Sequence, residues 1–245
     1  MPAIPLPGAR TGRDPARAIT RGPRRLPAEV VEATQRDRLY DGLVHTVAQK
    51  GYVNARVSDI CLAAGVTRPA FYALFAGKED AFLAAYRHGT GVLLGLMDQA
   101  YAAEPDWRAG TRESLRTLLN VLATVPAFAV MAIVEIDTAG PAAREARDRL
   151  LDNFGRFFAE APPLPDPRLG DEVINSIVGG IYSTIRRHVA AGHAADLGAL
   201  LPSISYFLMV PFLGRDAAAD ELLGEPGTEK TAALCAPLDP LSTER

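Results

Sequence analysis

Cysteine is nearly absent. Cys61 and Cys235 are the two in 245 residues, which gives neither a disulfide framework nor a cysteine-based metal spacing. The four histidines, His45, His88, His188 and His193, form no HxH or HExxH pattern, so no metal site is expected. There is no GxSxG elbow, no phosphate-binding loop and no nucleophile–base pair that stands out, so the chain is not read as an enzyme and no cofactor is expected. The charged N-terminal stretch is followed by no apolar core region, which argues against a secretion signal. The most apolar run, Val121 to Val134, is 14 residues long and interrupted by Thr124 and Pro126. That is too short to cross a bilayer, so a buried helix and no membrane partner are expected. Extended period-two alternation is lacking as well, so no strand is expected. What remains is an all-α chain of ordinary hydrophobic content, 48%, suited to a reducing, cytoplasmic setting.

The most informative stretch runs from Val57 to Phe82, VSDICLAAGVTRPAFYALFAGKEDAF. Ile60, Cys61 and Ala64 recur at helical spacing and make one apolar face. Gly65 then breaks the helix, because glycine adopts positive φ without a Cβ penalty. Thr67 is a good N-cap for the next helix, and Pro69 falls in its first turn, where a missing N–H does no harm. Phe71 and Phe75, four apart, turn inward. Two short helices joined by a tight glycine turn place the second across a DNA groove, although an ordinary helical hairpin has the same spacing.

The run from Gly51 to Phe82 resembles the N-terminal domain of the TetR family of bacterial transcriptional regulators. The resemblance rests on Gly51 and Tyr52, on Val57, Asp59 and Ile60, on Ala64, Gly65 and Val66, on Phe71, Tyr72 and Phe75, and on Lys78 with Glu79. It covers about 50 residues once helix 1 is included. It implies that Tyr72 and Lys78 grip phosphates and that Thr67, Arg68, Pro69 and Ala70 face the groove. Two positions depart from the family pattern. The helix 2 cap falls on Arg56, which supplies a cation but no acceptor, with Asn54 as a possible substitute. Leu74 stands where a polar side chain usually bonds a phosphate.

Charge points the same way. Residues 1–80 carry 12 Lys and Arg against 8 Asp and Glu, while residues 81–245 carry 14 against 21. Positive potential is concentrated where phosphate neutralisation needs it. Arg10, Arg13, Arg17, Arg21, Arg24 and Arg25 lie in a leader rich in proline and glycine. Met1 to Arg17 are read as a solvated, disordered tail. For Arg21, Arg24 and Arg25, minor-groove insertion and a solvated tail are equal readings. The candidate DNA contacts are therefore Arg24, Arg25, Arg56, Thr67, Arg68, Pro69, Ala70, Tyr72 and Lys78.

The expected organisation is a basic arm over 1–26, a helix-turn-helix domain over 27–88, a helical regulatory and dimerisation domain over 89–214, and a disordered tail over 215–245. Helices are expected from Pro27 to Lys50, from Thr111 to Leu122, from Ala142 to Ala159, from Asp171 to Ala191 and from Ala195 to Leu213. Gly179 and Gly180 sit inside the fourth of these at a cost of roughly 1 kcal/mol each, so close approach of another helix is expected there. Glu135 and Asp137, two apart, are expected to end a buried helix or to place one polar group in a pocket. The last two long helices carry more apolar surface than one exposed layer needs. They are read as half of a homodimeric four-helix bundle with Ile177, Gly180, Ile181, Ile204, Phe207 and Leu208 at the interface. The resemblance also implies a small-molecule effector between the middle helices, with Trp107, Phe128, Met131, Phe154, Phe158 and Tyr182 as candidate lining. The reading is a dimeric, ligand-responsive repressor of a palindromic double-stranded operator. The competing reading is a helical small-molecule binding or catalytic domain that never meets DNA.

Overall fold

The computed structural model describes residues 6–14, 27–164 and 166–223. Among them every regular element is helical. Helix α1, Ala28–Lys50, is exposed or half-buried as far as Arg38 and buried from Leu39 to Val47 except at His45. Gly51, at φ 75°, ends it. Helices α2, Val57–Ala64, and α3, Arg68–Leu74, follow. Gly42 is what lets α1 and α2 approach: a Cβ there would stand 2.8 Å from the Ala64 backbone nitrogen and 2.9 Å from the Ile60 carbonyl oxygen. Phe71, Phe75, Ile60, Val44 and Phe82 then close a small core beneath the two short helices.

Helix α4, Lys78–Ala102, runs without a break from this unit into the rest of the molecule. The expected division at residues 88 and 89 falls inside it, and one apolar core continues across that point. Helix α5, Trp107–Thr124, packs along α4; Ser114 Oγ donates to the Met97 carbonyl at 2.9 Å. It starts four residues earlier than expected because Asp106 caps it, accepting the Ala109 N–H at 2.9 Å.

Val125 leaves the helical region, and Pro126, which has no N–H to give, starts a new direction. The chain turns by 103° there. Helix α6, Pro126–Ala129, passes into a π turn over Val130–Val134 and a 3-10 turn over Glu135–Thr138. Gly140, at φ 110°, leads into α7, Pro141–Asn153. The single helix expected over 142–159 thus ends at Asn153, and Phe154–Phe158 form a 3-10 turn.

Helix α8, Gly170–Ala190, ends where Gly192 takes φ 83° and His193 N–H reaches back to the His188 carbonyl at 2.9 Å. This is the six-to-one bond of a glycine-terminated helix. The last expected helix opens as a 3-10 turn, Ala194–Leu200, before α9, Leu201–Leu213.

Two expectations of disorder are not met over the described residues. Residues 215–223 form α10, Arg215–Leu223, and Ala218 is fully buried in a second apolar cluster with Trp107, Phe158, Ile177, Leu208 and Met209. Residues 6–14 lie on α1 and α2. Leu6 is buried, Gly8 N–H donates to Asp41 Oδ1 at 2.7 Å, and Arg13 Nε donates to the Leu62 carbonyl at 2.8 Å. Glycine permits the first contact: a Cβ on Gly8 would overlap Val44. Arg24 and Arg25 lie outside the described residues, as do Arg17, Arg21 and Cys235.

Candidate nucleic-acid interface and regulatory cavity

The turn between α2 and α3 has the local chemistry that the sequence requires. Gly65 is left-handed, at φ 61° and ψ 36°. Val66 N–H closes back on the Cys61 carbonyl at 3.0 Å. Thr67 Oγ1 accepts the Ala70 N–H at 3.4 Å, and Pro69 occupies the first turn of α3. Arg38 reinforces the carbonyl end of α2: its Nε donates to the Ala64 carbonyl at 2.9 Å and its Nη2 to that of Gly65 at 3.1 Å. A guanidinium on the last carbonyls of a helix also meets the negative end of its dipole.

At its start, α2 is not capped by Asn54, whose amide donates instead to the Lys50 carbonyl. Asp59 does the work, accepting the Arg56 N–H at 3.1 Å while pairing with Lys50 at 3.1 Å. The bond from the Arg56 backbone, followed by the Lys50 ammonium, holds the Asp59 carboxyl below its usual range.

These contacts sort the α3 side chains cleanly. Phe71 and Phe75 face the core, whereas Thr67, Arg68, Pro69 and Tyr72 are exposed and Ala70 is half-buried. Arg56, Arg68, Tyr72 and Lys78 line one open depression with Val53, Ala55, Val57 and Ser58. Lys78 is braced there. Its Nζ donates to the Tyr52 carbonyl at 2.7 Å and lies 4.1 Å from the centre of the Tyr52 ring. Burial lowers its pKa. An ammonium has three N–H bonds, so two remain for an anion in the depression. Leu74 is half-buried against the core and offers nothing to a phosphate.

A second feature lies among the middle helices. A partly open cavity of about 100 Å³ is lined by α4, α5, α6 and its π turn, α7 and the turn after it, α8, and Leu208 of α9. Of the six expected lining residues, Phe128, Phe154, Phe158 and Tyr182 are on its wall. Met131 and Trp107 are not. Met131 is fully buried in the main core. Trp107 stands behind the wall, its indole N–H donating to the Phe157 carbonyl at 2.8 Å and its ring meeting that of Phe212. Sequence reasoning missed the α4 and α5 contributions: Tyr86, Thr90, Leu93 and Met97, and Thr111, Leu115, Leu118 and Leu122. Both sets carry helical spacing, which was the available signal.

Neither acid near residue 136 enters the cavity. Asp137 pairs with Arg147 and, at 2.9 Å, with Arg186. Glu135 reaches the other way, accepting the Tyr52 N–H on its Oε2 at 2.7 Å. The turn that carries Phe128, Ala132 and Ile133 of the cavity wall is therefore bonded directly to the residue that braces Lys78.

The residues expected between subunits also divide. Ile177, Ile204 and Leu208 are buried within the subunit, and Ile181 lines the cavity with Leu208. Only Gly180 and Phe207 reach the outer side of α8 and α9. A Cβ on Gly180 would lie 3.1 Å from the Phe207 ring, and Phe207 is 48% exposed. Gly180 thus makes the close approach expected of it, whereas a Cβ on Gly179 would meet no atom of the described residues within 4 Å.

Residues 39–85 match the family model described as bacterial regulatory proteins, tetR family. Among solved structures, the chain is similar to a fatty acid degradation regulator, FadR, from Bacillus halodurans, with TM-score 0.64 and 20% identity over 78% of this chain and 96% of that one. It is similar to the transcriptional regulator FadR from Bacillus subtilis in complex with stearoyl-CoA, with TM-score 0.61 and 22% identity over 72% and 97%. It also resembles a TetR-like transcriptional regulator from Rhodococcus sp. RHA1, with TM-score 0.54 and 18% identity over 74% and 97%. No curated protein sequence matches it.

Proposed function

We infer that this chain, which belongs to the TetR family of bacterial regulatory proteins, is a DNA-binding transcriptional regulator that answers to a small apolar ligand. The observation that carries the DNA-binding half is the depression shared by Arg56, Arg68, Tyr72 and Lys78, which lies within the family-matched segment and flanks the exposed side of α3. Arg56, Tyr72 and Lys78 serve as phosphate contacts, positioning the helix. Thr67, Arg68, Pro69 and Ala70 face base edges. Arg24 and Arg25 are assigned to a minor-groove arm.

The active form is proposed to be a homodimer on a palindromic operator, acting as a cytoplasmic repressor. The 194–213 segment is strongly apolar, yet only 33% of its most apolar 18-residue stretch is buried in one subunit. A second copy laid over Gly180 and Phe207 covers that face, and two-fold pairing matches an inverted repeat. The ligand reading is supported by the apolar wall of the cavity and by the stearoyl-CoA of the Bacillus subtilis neighbour. The three similar solved structures are described as regulators, which favours regulation over catalysis here.

The reading is tested by selecting duplexes from a random pool and titrating the recovered site by fluorescence anisotropy. An inverted repeat is expected. Tyr72→Phe with Lys78→Ala should weaken binding to all sequences alike, while Arg68→Ala should relax preference at particular bases. Recovery of no preferred sequence, or an unchanged affinity in the double variant, refutes the assignment.

A further inference from the structure

Among the described residues, two buried side-chain polar atoms have no hydrogen-bond partner, the hydroxyls of Tyr86 and Ser205. Tyr86 alone of the two belongs to the cavity wall. It is 1% exposed, and buried polar groups in folded proteins are nearly always bonded. The other hydroxyls of the wall are already committed as donors. Thr90 donates to the Tyr86 carbonyl at 2.8 Å, Ser114 to that of Met97 at 2.9 Å, Tyr182 to that of Ile133 at 3.1 Å, and Thr111 to that of Phe157 at 3.5 Å. One donor is thus left over in an otherwise apolar chamber.

Charge decides what kind of acceptor it awaits. No acid, base or histidine is among the lining residues. The cations beside its wall are compensated: Arg147 pairs with Asp137 and Asp148, Arg186 with Asp137, and Arg156, which lies over the Phe157 ring, with Asp98. A carboxylate entering the chamber would therefore be desolvated without a free counter-ion, at a cost of several kcal/mol. A neutral oxygen needs no counter-ion.

We propose that the cavity is specific for an elongated apolar molecule bearing one uncharged hydrogen-bond acceptor, a carbonyl, ester or ether oxygen, which accepts a hydrogen bond from the Tyr86 hydroxyl. This rests on the ligand-binding reading of the same cavity and adds to it the chemical class and the residue that selects it. A cavity of about 100 Å³ has room for roughly three waters at about 30 Å³ each, and because it is partly open an eight-carbon chain can run on past its mouth. Trp107 reports on occupancy. It is the single tryptophan, its indole N–H is bonded to the Phe157 carbonyl, and it shares an apolar cluster with Phe158, both residues of the wall.

Octane, methyl octanoate and octanoate are titrated against the full chain and against Tyr86→Phe, by Trp107 fluorescence and by shift in melting temperature. Phenylalanine keeps the ring and removes the unpaired hydroxyl, so the unliganded variant is expected to melt at or above the parent temperature. The expected result is that methyl octanoate binds the parent tightest, and that Tyr86→Phe shrinks the ester-over-octane preference roughly five- to tenfold, the worth of one neutral buried hydrogen bond. If octane and the ester bind but the variant leaves their ratio unchanged, the role of Tyr86 is overturned and the ligand cavity stands. If octanoate outbinds the ester, the uncharged class is overturned. If none of the three binds, octane included, the ligand-binding reading itself fails and the inference with it.

Discussion

The bond from Glu135 to the Tyr52 N–H joins the cavity turn to the DNA-reading unit across 83 positions of sequence, so its removal isolates the proposed coupling. The contact is part-buried and charge-assisted, at 2.7 Å. Bonds of that kind contribute about 1.5–3 kcal/mol, and Glu135→Ala also leaves a donor unpaired. At about 1.4 kcal/mol per factor of ten, local opening around Tyr52 should become roughly 10- to 150-fold more frequent. Amide hydrogen exchange reads this directly, as a matching drop in protection at Tyr52 and its neighbours, while the core amides of α5 stay protected. Glu135→Gln keeps an acceptor but loses the charge, and neutral bonds are about half as strong, so its effect should fall midway.

DNA affinity should follow in the same order, because Lys78 leans on the Tyr52 carbonyl and ring and loses its brace when Tyr52 moves. The ligand response should vanish in Glu135→Ala even where the ligand still binds, since the cavity wall and the reader no longer share a bond. Unchanged protection at Tyr52 in Glu135→Ala would refute the reasoning at its first step. Normal ligand release of DNA in that variant would refute it at the last.

Gly89→Ala should destabilise the protein, because a Cβ there would stand 2.2 Å from the Phe128 ring; overpacking costs about 1–3 kcal/mol, offset by about 1 kcal/mol of helix propensity, and urea unfolding measures the balance. The Tyr101 phenol is pushed up to about 12, first by burial and then by the bond it donates to the Glu160 carboxylate. Its folded value lies above the unfolded one near 10, so its contribution is complete below pH 10 and lost as pH rises towards 12; Tyr101→Phe should flatten the alkaline fall of melting temperature in that window. Phe207→Glu should raise the dimer dissociation constant by about 30-fold or more in sedimentation, since a charge would be buried at the centre of the proposed interface. A variant that sediments as the parent does would place the interface elsewhere.

What the sequence disclosed follows from how local each cause is. Gly65, Thr67 and Pro69 fix the turn through their own backbone geometry, so their roles were readable and are what the structure contains. The inward pair Phe71 and Phe75 was equally readable from spacing. Asp106 was a readable cap that the proline beside it concealed, and α5 consequently starts at Trp107. The helix over 215–223 was illegible for a different reason. Its sequence is short and shows no clear apolar face, and it is held by burying Ala218 against a cluster assembled from α5, α8 and α9. Residues 6–14 are held likewise, by Asp41 and by the carbonyl end of α2.

The cavity shows why composition alone misdirects a search for lining residues. Trp107 and Met131 are large, apolar and inside, yet both sit off the wall, because a helix offers two or three buried sides once it is surrounded. The small polar residues Thr90 and Ser114 are on it, since a chamber needs side chains that stop short of filling it. The coupling residue was further hidden. Glu135 follows an apolar run and read as a helix end, and it is one, but the π turn before it rotates its carboxylate away from the cavity and onto Tyr52. A π turn is a one-residue slip in hydrogen-bond register, and such slips mark functional bends in helices. A regular α-helix through 126–138 would shift the residues after the turn by about 100°, and the Phe128 face and the Glu135 carboxylate could not then serve cavity and reader at once.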